Sequence, residues 1–260
     1  MQKIEVLNNI AHEHLRVNHQ FSTELGDNLA STLAYATEFA EIQKEYPILF
    51  RKNADSGEYQ AIVFFGFQKD ENLFLIDTNQ AHVQNLRTYP YPGWRAQYVP
   101  AVIARGPFSI GIQREIMNGS EVHNPVVHVD VNHPKVQDSV GQNLFLENGG
   151  NSAYLNHISR VLDTINNGIV QTKLMFDAFN KFQLLENVVL DIEFHNQQKL
   201  KITGFETINA NKLVALDGAT LEELNRSGFL QLAYFALASM SNIKKLIDWK
   251  NQKIATGDSH

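Results

Sequence analysis

Residues 124–134 read NPVVHVDVNHP and alternate between apolar and polar side chains at every second position. Such alternation is typical of a β-strand with one buried and one solvated face. The apolar members are Val127, Val129 and Val131, and the polar members are His128, Asp130 and Asn132. Proline lacks the backbone N–H that a strand interior needs. The stretch therefore predicts a half-buried strand that ends near Pro134.

The chain before residue 150 has the same β-rich character. Residues 46–50 and 59–67 are apolar and flank the turn sequence NADSG at 53–57, a pattern that predicts a hairpin. One helix is predicted at residues 31–45, ahead of Pro47. Further strands are predicted at residues 4–7, 72–76, 99–104 and 108–112.

The pattern changes at residues 147–154, which read ENGGNSAY. Asn151 or Ser152 can cap a long helix, whose apolar positions recur every three to four residues. The sequence NNG at 166–168 weakens this helix midway. Residues 188–205 predict a hairpin that joins or extends the sheet, and a final helical pair is predicted at 229–240 and 242–250.

These patterns predict an α+β fold. An antiparallel or mixed β-rich body covers residues 1–150, and a helical part with a β-hairpin covers residues 151–260 and packs on it. We expect the two parts to form one composite domain.

Composition argues against several classes of function. The formal net charge of −6 and the pI of about 5.9 disfavour a nucleic-acid-binding protein, which needs a basic face. The chain contains no cysteine, which excludes disulfides and thiolate sites. No apolar run approaches the roughly 20 residues that span a bilayer, and the first residues do not read as a signal peptide. The predicted location is the cytoplasm, without membrane insertion.

Motifs for catalysis or cofactor binding are missing. The chain lacks GxGxxG, GxxxxGKS/T, HExxH and GxSxG, so no catalytic residue is named and no cofactor is expected. His128 and Asp130 share one strand face and give a weak alternative, a metal or general-base site. A solvated strand face is the favoured interpretation of that pair.

Two other polar clusters have the same two interpretations. His12 and His14 would share a face on a strand and could bind one metal ion, although a solvated N-terminal segment is favoured. Asp191 and Glu193 could support acid–base chemistry. Lys199 and Lys201 follow on the returning strand of the hairpin, which favours cross-strand charge pairing instead.

The densest group of aromatic and proline residues lies at residues 88–108, which read TYPYPGWRAQYVPAVIARGPF. Prolines limit the freedom of the backbone, and tyrosine and tryptophan rings combine an apolar body with one polar group. Such side chains either fix a loop to the core or line a groove for a ligand. Arginines pair with carboxylates and stack on rings. The candidate binding residues here are Tyr89, Tyr91, Trp94, Arg95, Tyr98 and Arg105.

Several short motifs along the chain resemble the bacterial SapC family, named after an S-layer-associated protein. They include Tyr46-Pro47-Ile48, ENLF at 71–74, Trp94 with YVPA at 98–101, and Pro107-Phe108. The C-terminal sequence RSGFLQLAYFALASMSNIKKL is also similar to the closing helices of that family. Asn72, in the matched ENLF motif, joins the candidate binding residues.

The resemblance implies an accessory role. Members of the family are often encoded near flavin-dependent tryptophan-halogenase-like proteins, cupin-like proteins and TonB-dependent receptors, which implies a link to nutrient uptake or to a halogenase-like partner. We therefore expect a non-catalytic protein that binds a partner protein or a small ligand. The alternatives are an enzyme of unfamiliar type that uses His128 and Asp130, and a homo-oligomeric surface-layer or scaffold component.

Overall fold

The computed structural model describes residues 2–76, 90–117, 120–137 and 139–257. The chain forms two compact units, each made of two separate segments. The first unit contains Met1–Asp27 and Leu75–Asn166, and the second contains Asn28–Phe74 and Asn167–His260. The compositional change that the sequence shows near residue 150 therefore lies within a segment of the first unit.

An antiparallel sheet of three strands forms the centre of the first unit. Strands β1 (Ile4–Val6), β6 (Phe108–Met117) and β7 (Ser120–Asp130) lie in the order β1-β7-β6. β7 contains residues 124–130 of the alternating stretch and ends at Asp130, ahead of the predicted end near Pro134, and Val129 is fully buried. The prediction of a half-buried strand here is confirmed.

A second small sheet and two helical segments complete the first unit. The strands β2 (Arg16–Val17), β8 (Val136–Gln137) and β9 (Gln142–Asn143) lie in the order β8-β2-β9. The helix α2 (Ala101–Ala104) has four residues, and the helix α3 (Ala153–Lys181) adds its residues up to Asn166. One buried hydrophobic cluster of this unit consists of Val17, Phe108, Val129, Leu144, Phe145, Leu155, Ile158 and Leu162.

The second unit contains an antiparallel sheet of five strands in the order β10-β11-β4-β5-β3. The strands are β3 (Ser31–Ala34), β4 (Ile48–Lys52), β5 (Tyr59–Phe64), β10 (Leu185–Glu193) and β11 (Lys199–Ile208). The predicted hairpin at 188–205 is confirmed and extends this sheet. Aromatic rings fill its core, where Tyr46 stacks on Phe74 with ring centroids 4.4 Å apart.

Helices account for most of the rest of the second unit. They are α1 (Phe39–Ile42), the later part of α3, α4 (Ala210–Val214), α5 (Gly218–Arg226), α6 (Phe229–Ser239) and α7 (Asn242–Thr256). The predicted long helix and final helical pair are thus confirmed, and the fold is α+β as expected. Among the described residues, no helix combines the length and the apolar character that crossing a bilayer requires.

Three local predictions are wrong. Residues 31–34 form β3 rather than a helix because they pair with β5, with Thr32 opposite Val63, and only short helical turns follow. Residues 101–104 form α2 rather than a strand, since Pro100 occupies the position before a helix, where its missing N–H costs nothing. Residues 72–76 contribute one bridge, from Leu75 to Trp94, and no strand.

Gly168 is present because a neighbouring segment packs closely against α3. A Cβ atom at this position would lie 2.5 Å from the Cβ of Tyr35 and 2.7 Å from the Oγ1 of Thr37. Ala36 lies in the same contact, because its backbone N–H donates a 2.9 Å hydrogen bond to the Thr172 Oγ1. The glycine that weakens the helical pattern therefore allows the turn after β3 to pack on the helix.

Candidate functional site

Trp94 is a fully buried residue of the stretch at residues 88–108, which we call the aromatic–proline segment. Its side chain has no exposed surface, and its ring packs edge-on against Phe21, with centroids 5.2 Å apart and planes 62° apart. Tyr91 also meets Phe21 edge-on, at 6.5 Å. Of the two interpretations that the sequence left open, Trp94 takes the structural one, and its indole does not face solvent.

The backbone of the segment is fixed at Gly93. The Phe21 N–H donates to the Pro92 carbonyl oxygen at 3.0 Å, and the Ile76 N–H donates to the Gly93 carbonyl oxygen at 3.0 Å. Gly93 has a φ of +84°, and a Cβ atom there would lie 2.1 Å from the Phe21 carbonyl oxygen. Glycine is therefore required at this position both for its positive φ and for the close approach.

A buried ion pair lies against the same phenylalanine. The Lys135 Nζ is 2.9 Å from the Asp27 Oδ1, and the side chains of both residues are more than nine-tenths buried. The Nζ also lies 4.0 Å from the centroid of the Phe21 ring, in the geometry of a cation–π contact. We call Phe21, Asp27, Trp94 and Lys135 the anchor cluster.

The turn after β7 positions Lys135. The Lys135 N–H donates to the His133 Nδ1 at 3.1 Å, and the Asn18 N–H donates to the Lys135 carbonyl oxygen at 2.8 Å. On the other side, the Ser22 N–H donates to the Asp27 Oδ2 at 3.0 Å. Hydrogen bonds therefore fix the backbone of Lys135 and orient the carboxylate of Asp27.

Burial decides the electrostatics of the anchor cluster. Loss of solvent raises the pKa of Asp27 and lowers the pKa of Lys135, and their mutual attraction offsets part of each shift. His133 shows the same effect, because burial and then the nearby Lys135 lower its pKa, against the attraction of Asp130. The ions thus pay a desolvation cost, so removing one of them leaves the other buried and uncompensated.

The solvent side of the segment carries different residues from the buried side. Pro90, Pro92 and Gln97 are exposed, whereas Tyr91, Arg95 and Tyr98 are half-buried. Residues 95–97 form a bend rather than the helical turn that would bring Trp94 and Tyr98 together. We call these six residues the aromatic–proline strip. The structure therefore places an accessible strip directly on the anchor cluster.

The remaining candidate binding residues do not all join this strip. Arg105 lies at the end of α2, where its Nη1 donates to the Phe108 carbonyl oxygen at 2.9 Å, a contact that stabilises the local fold. Asn72 belongs to the second unit, and its Oδ1 accepts a hydrogen bond from the Phe74 N–H at 3.0 Å. Tyr89 lies outside the described residues.

His128 and Asp130 have separate surroundings. The His128 ring lies over Gly111 in the neighbouring strand, where a Cβ atom would come within 2.1 Å of the ring. The Asp130 Oδ1 accepts hydrogen bonds from the backbone N–H groups of Lys3 at 2.9 Å and Asn132 at 3.1 Å. Within the described part of the chain, no three His, Cys, Asp or Glu side chains are grouped so that they could hold a metal ion.

The other polar clusters are explained by pairing. His12 lies in a turn, so it shares no strand face with His14. It is buried, and its Nε2 is 3.1 Å from the Glu5 Oε2, so the favoured prediction of a solvated segment is wrong at this residue. Glu193 lies opposite Lys199, 3.4 Å from its Nζ, and Asp191 lies opposite Lys201. The prediction of cross-strand charge pairing on the hairpin is confirmed.

An open depression of about 920 Å³ lies elsewhere in the first unit. Six of its eight lining residues are polar or charged, and the lining consists of Glu13, His14, Arg16, Asn143, Phe145, Leu146, Glu147 and Asn148. Phe145 is 8% exposed, so its ring offers little surface for stacking on a ligand. Leu146 is 52% exposed and contributes apolar surface to the lining, so the depression combines charged, amide and apolar groups.

Sequence patterns missed Phe21, Asp27 and Lys135. Asp27 and Lys135 are far apart in sequence and lie outside the strands and helices, and nothing local marks such a charged residue as buried. The useful signal was Gly93, a glycine between a proline and a tryptophan, which predicts a close backbone approach at that point.

The buried ion pair predicts a non-additive response to mutation. Asp27→Asn leaves the Lys135 ammonium buried without its counter-ion, so we expect a loss of about 3–5 kcal/mol in unfolding free energy. Combining Asp27→Asn with Lys135→Met should recover most of that loss. Urea denaturation of the two single variants and the double variant measures the coupling. Glu41→Gln, which breaks an exposed pair with Lys44, should cost well under about 1 kcal/mol. A neutral effect of Asp27→Asn alone would contradict this account.

His133 predicts a loss of stability in mild acid. A histidine whose folded pKa is lowered contributes its full stability above its unfolded pKa of about 6.5, and this stability is lost as the pH falls from that value through the lower folded pKa. Protonation would also remove the acceptor that Nδ1 offers to the Lys135 N–H. His133→Asn keeps an acceptor oxygen near that place but does not titrate. Between pH 7.5 and pH 5.5, which lie within the range of about 5–8 where histidine titrates, the melting temperature of the wild type should therefore fall more than that of His133→Asn.

His157 provides the background for this comparison. Burial lowers its pKa as well, and it is present in both proteins, so it contributes equally to both melting curves. Identical pH profiles for the wild type and His133→Asn would show that His133 does not destabilise the fold when it is protonated.

Comparison with known proteins places the chain in a family. No curated protein and no solved structure matches the chain. The SapC family model matches residues 7–246 of the 260 residues. This match begins well before Tyr46, the first residue of the motifs quoted above, and its range includes residues 88–108 and α6. The chain belongs to the SapC family.

Proposed function

We propose that this SapC-family protein is a non-catalytic accessory protein that binds a partner protein through the aromatic–proline strip. The observation that carries the proposal is the division of one short segment into two faces. Trp94 is fully buried, while neighbouring prolines, tyrosines and one arginine reach the surface. The segment is thus both fixed to its unit and accessible.

Fixing the backbone lowers the entropic cost of binding. Hydrogen bonds at Phe21 and Ile76 hold the segment on both sides of Gly93. Pro90 and Pro92 further restrict the chain between them. A partner that contacts such a segment does not have to order it, so more of the contact energy contributes to affinity.

The composition of the strip suits a protein partner. Tyrosine and arginine are enriched in the energetically important centres of protein interfaces, because they offer large contact areas and directed hydrogen bonds. Arg95 adds a cation that pairs with a carboxylate. A partner segment with an acidic residue beside apolar or aromatic residues fits these groups.

The family association suggests which partners to test first. A flavin-dependent halogenase-like protein and the nutrient-uptake proteins encoded near family members are the candidates, and a small ligand that carries a carboxylate is the second choice. We propose a cytoplasmic location for the complex, which fractionation of the source cells tests.

Site-specific photocrosslinking in the source cells tests the proposal. A photoreactive phenylalanine analogue at Tyr91 should give one discrete protein adduct, because this ring lies on the strip. The same analogue at Val214, which is 78% exposed in the second unit, is the matched control and should give none. Arg95→Glu should weaken binding of the identified partner by about tenfold or more, or ~1.4 kcal/mol.

Two controls make the result interpretable. Arg51→Glu reverses the charge of an exposed arginine in β4 and should leave the affinity unchanged. The melting temperature and the far-UV circular dichroism of Arg95→Glu are measured as well, and a weaker affinity counts as a lost contact only where the variant is folded at the temperature of the binding assay. Equal crosslinking at Tyr91 and Val214, or unchanged affinity in Arg95→Glu, would refute the strip as the binding surface.

A further inference from the structure

Three short segments of the first unit surround the open depression. Glu13 and His14 come from the turn before β2, Arg16 from β2, and Asn143 from β9. The loop between β9 and α3 supplies the rest of the lining, which is Phe145, Leu146, Glu147 and Asn148. The volume of about 920 Å³ lies within the range of small-molecule sites, which is ~300–1,000 Å³.

Hydrogen bonds fix the walls of the depression. In the loop, the Leu146 N–H donates to the Gly150 carbonyl oxygen at 2.7 Å, and the Gly149 N–H donates to the Leu146 carbonyl oxygen at 2.8 Å. The Asn9 Nδ2 donates to the Gly149 carbonyl oxygen at 3.0 Å, so the turn before β2 is tied to this loop. The buried ring of His12 supports the same turn. Because the lining is ordered without a ligand, a ligand does not have to order it.

Arg16 is a half-buried charged residue in the lining. It lies in the central strand of the sheet β8-β2-β9, where it is opposite Gln137 and Asn143. Val17, the next residue of the strand, is fully buried, so the Arg16 side chain points to the opposite face of the sheet. Within the part of the chain that the structure describes, the Arg16 guanidinium has no hydrogen bond and no ion pair. Its planar fork of N–H donors matches a carboxylate.

Two carboxylates line the same depression without pairing with Arg16. Glu13 and Glu147 are exposed, and neither forms an ion pair with any described residue. They repel an anion such as phosphate, and Arg16 repels a simple cation. A ligand with charges of both signs fits all three residues. Since the carboxylates outnumber the guanidinium, the charges favour a ligand with more cationic than anionic groups.

We propose that the open depression binds a basic amino acid, either free or as the C-terminal residue of a peptide. The carboxylate of the ligand pairs with Arg16, and its cationic groups pair with Glu13 and Glu147. The methylene chain of the ligand contacts Leu146, which is 52% exposed. The proposal concerns other residues than the aromatic–proline strip and stands independently of the proposed function.

NMR titration of the isotopically labelled full-length chain tests this site. The probes are L-lysine and the tripeptide glycyl-glycyl-L-lysine, each added up to about 10 mM, well above the dissociation constant of about 1 mM or lower that we expect. At least one probe should shift the amide signals of Asn143 and Leu146. Binding of the tripeptide alone identifies a peptide terminus as the ligand, whereas binding of L-lysine shows that the free amino acid is sufficient.

Two related compounds test which charges are recognised. Cadaverine lacks the carboxylate, and Nε-acetyl-L-lysine lacks the side-chain cation. Each should bind about tenfold more weakly than L-lysine, or not at all, because one charge of the site stays without a partner. Added salt should weaken the binding of L-lysine, since the carboxylates of the site are exposed.

Substitutions test the residues of the site. Arg16→Gln removes the guanidinium, and Glu13→Gln combined with Glu147→Gln removes both carboxylates. Each variant should weaken binding of the probe by about tenfold or more. Arg51→Gln, in the second unit, is the matched control and should bind normally. Far-UV circular dichroism shows whether each variant is folded, and the exposed carboxylate pair decides the test if Arg16→Gln does not fold.

Three results would overturn the proposal. The first is the absence of any shift with both probes at the highest concentration. The second is binding of cadaverine as tight as that of L-lysine and the tripeptide, because the carboxylate would then play no part. The third is an unchanged affinity in either folded site variant.

Discussion

The candidate site depends on the contacts of the Phe21 ring. This ring lies under the ammonium of Lys135, which pairs with Asp27, and it packs edge-on against Trp94. Two desolvated ions at 2.9 Å are stable only while both remain, and the phenylalanine ring that covers Lys135 also supports the indole. The cluster joins a turn near the N-terminus, the turn after β7 and the aromatic–proline segment. Its role is therefore to hold three irregular segments of the first unit in one arrangement.

Irregular segments need such contacts because they lack the hydrogen-bond ladders of strands and helices. Residues 20–27 and 90–98 contain no named strand or helix, yet both contain residues with no more than a few per cent exposure. The buried backbone is satisfied by single hydrogen bonds, such as that from Phe21 to Pro92. A segment held in this way keeps a defined surface, and that property is what recognition of a partner requires.

The sequence was informative where local periodicity and burial agree. Three features follow from the spacing of residues that are close together in the sequence. They are the alternation at Val127 and Val129, the apolar positions that recur every three to four residues in α3, and the charge pairs of the β10–β11 hairpin. Prediction from local patterns fails where tertiary contacts override the intrinsic secondary-structure propensity of the residues. Residues 31–34 became a strand because β5 offered a partner, and the role of Gly168 could not be known before Tyr35 was placed beside it. The buried state of Lys135 had no local signal at all.

Amide hydrogen exchange, measured residue by residue, tests most directly whether the anchor cluster holds the segment. In the wild type, the amides of Phe21 and Ile76 should exchange as slowly as those of the β6–β7 ladder. In Asp27→Asn, these two amides should become fast before the ladder does, because the local support is lost first. Rapid exchange of both amides in the wild type, or equal acceleration of cluster and ladder in the variant, would contradict the account.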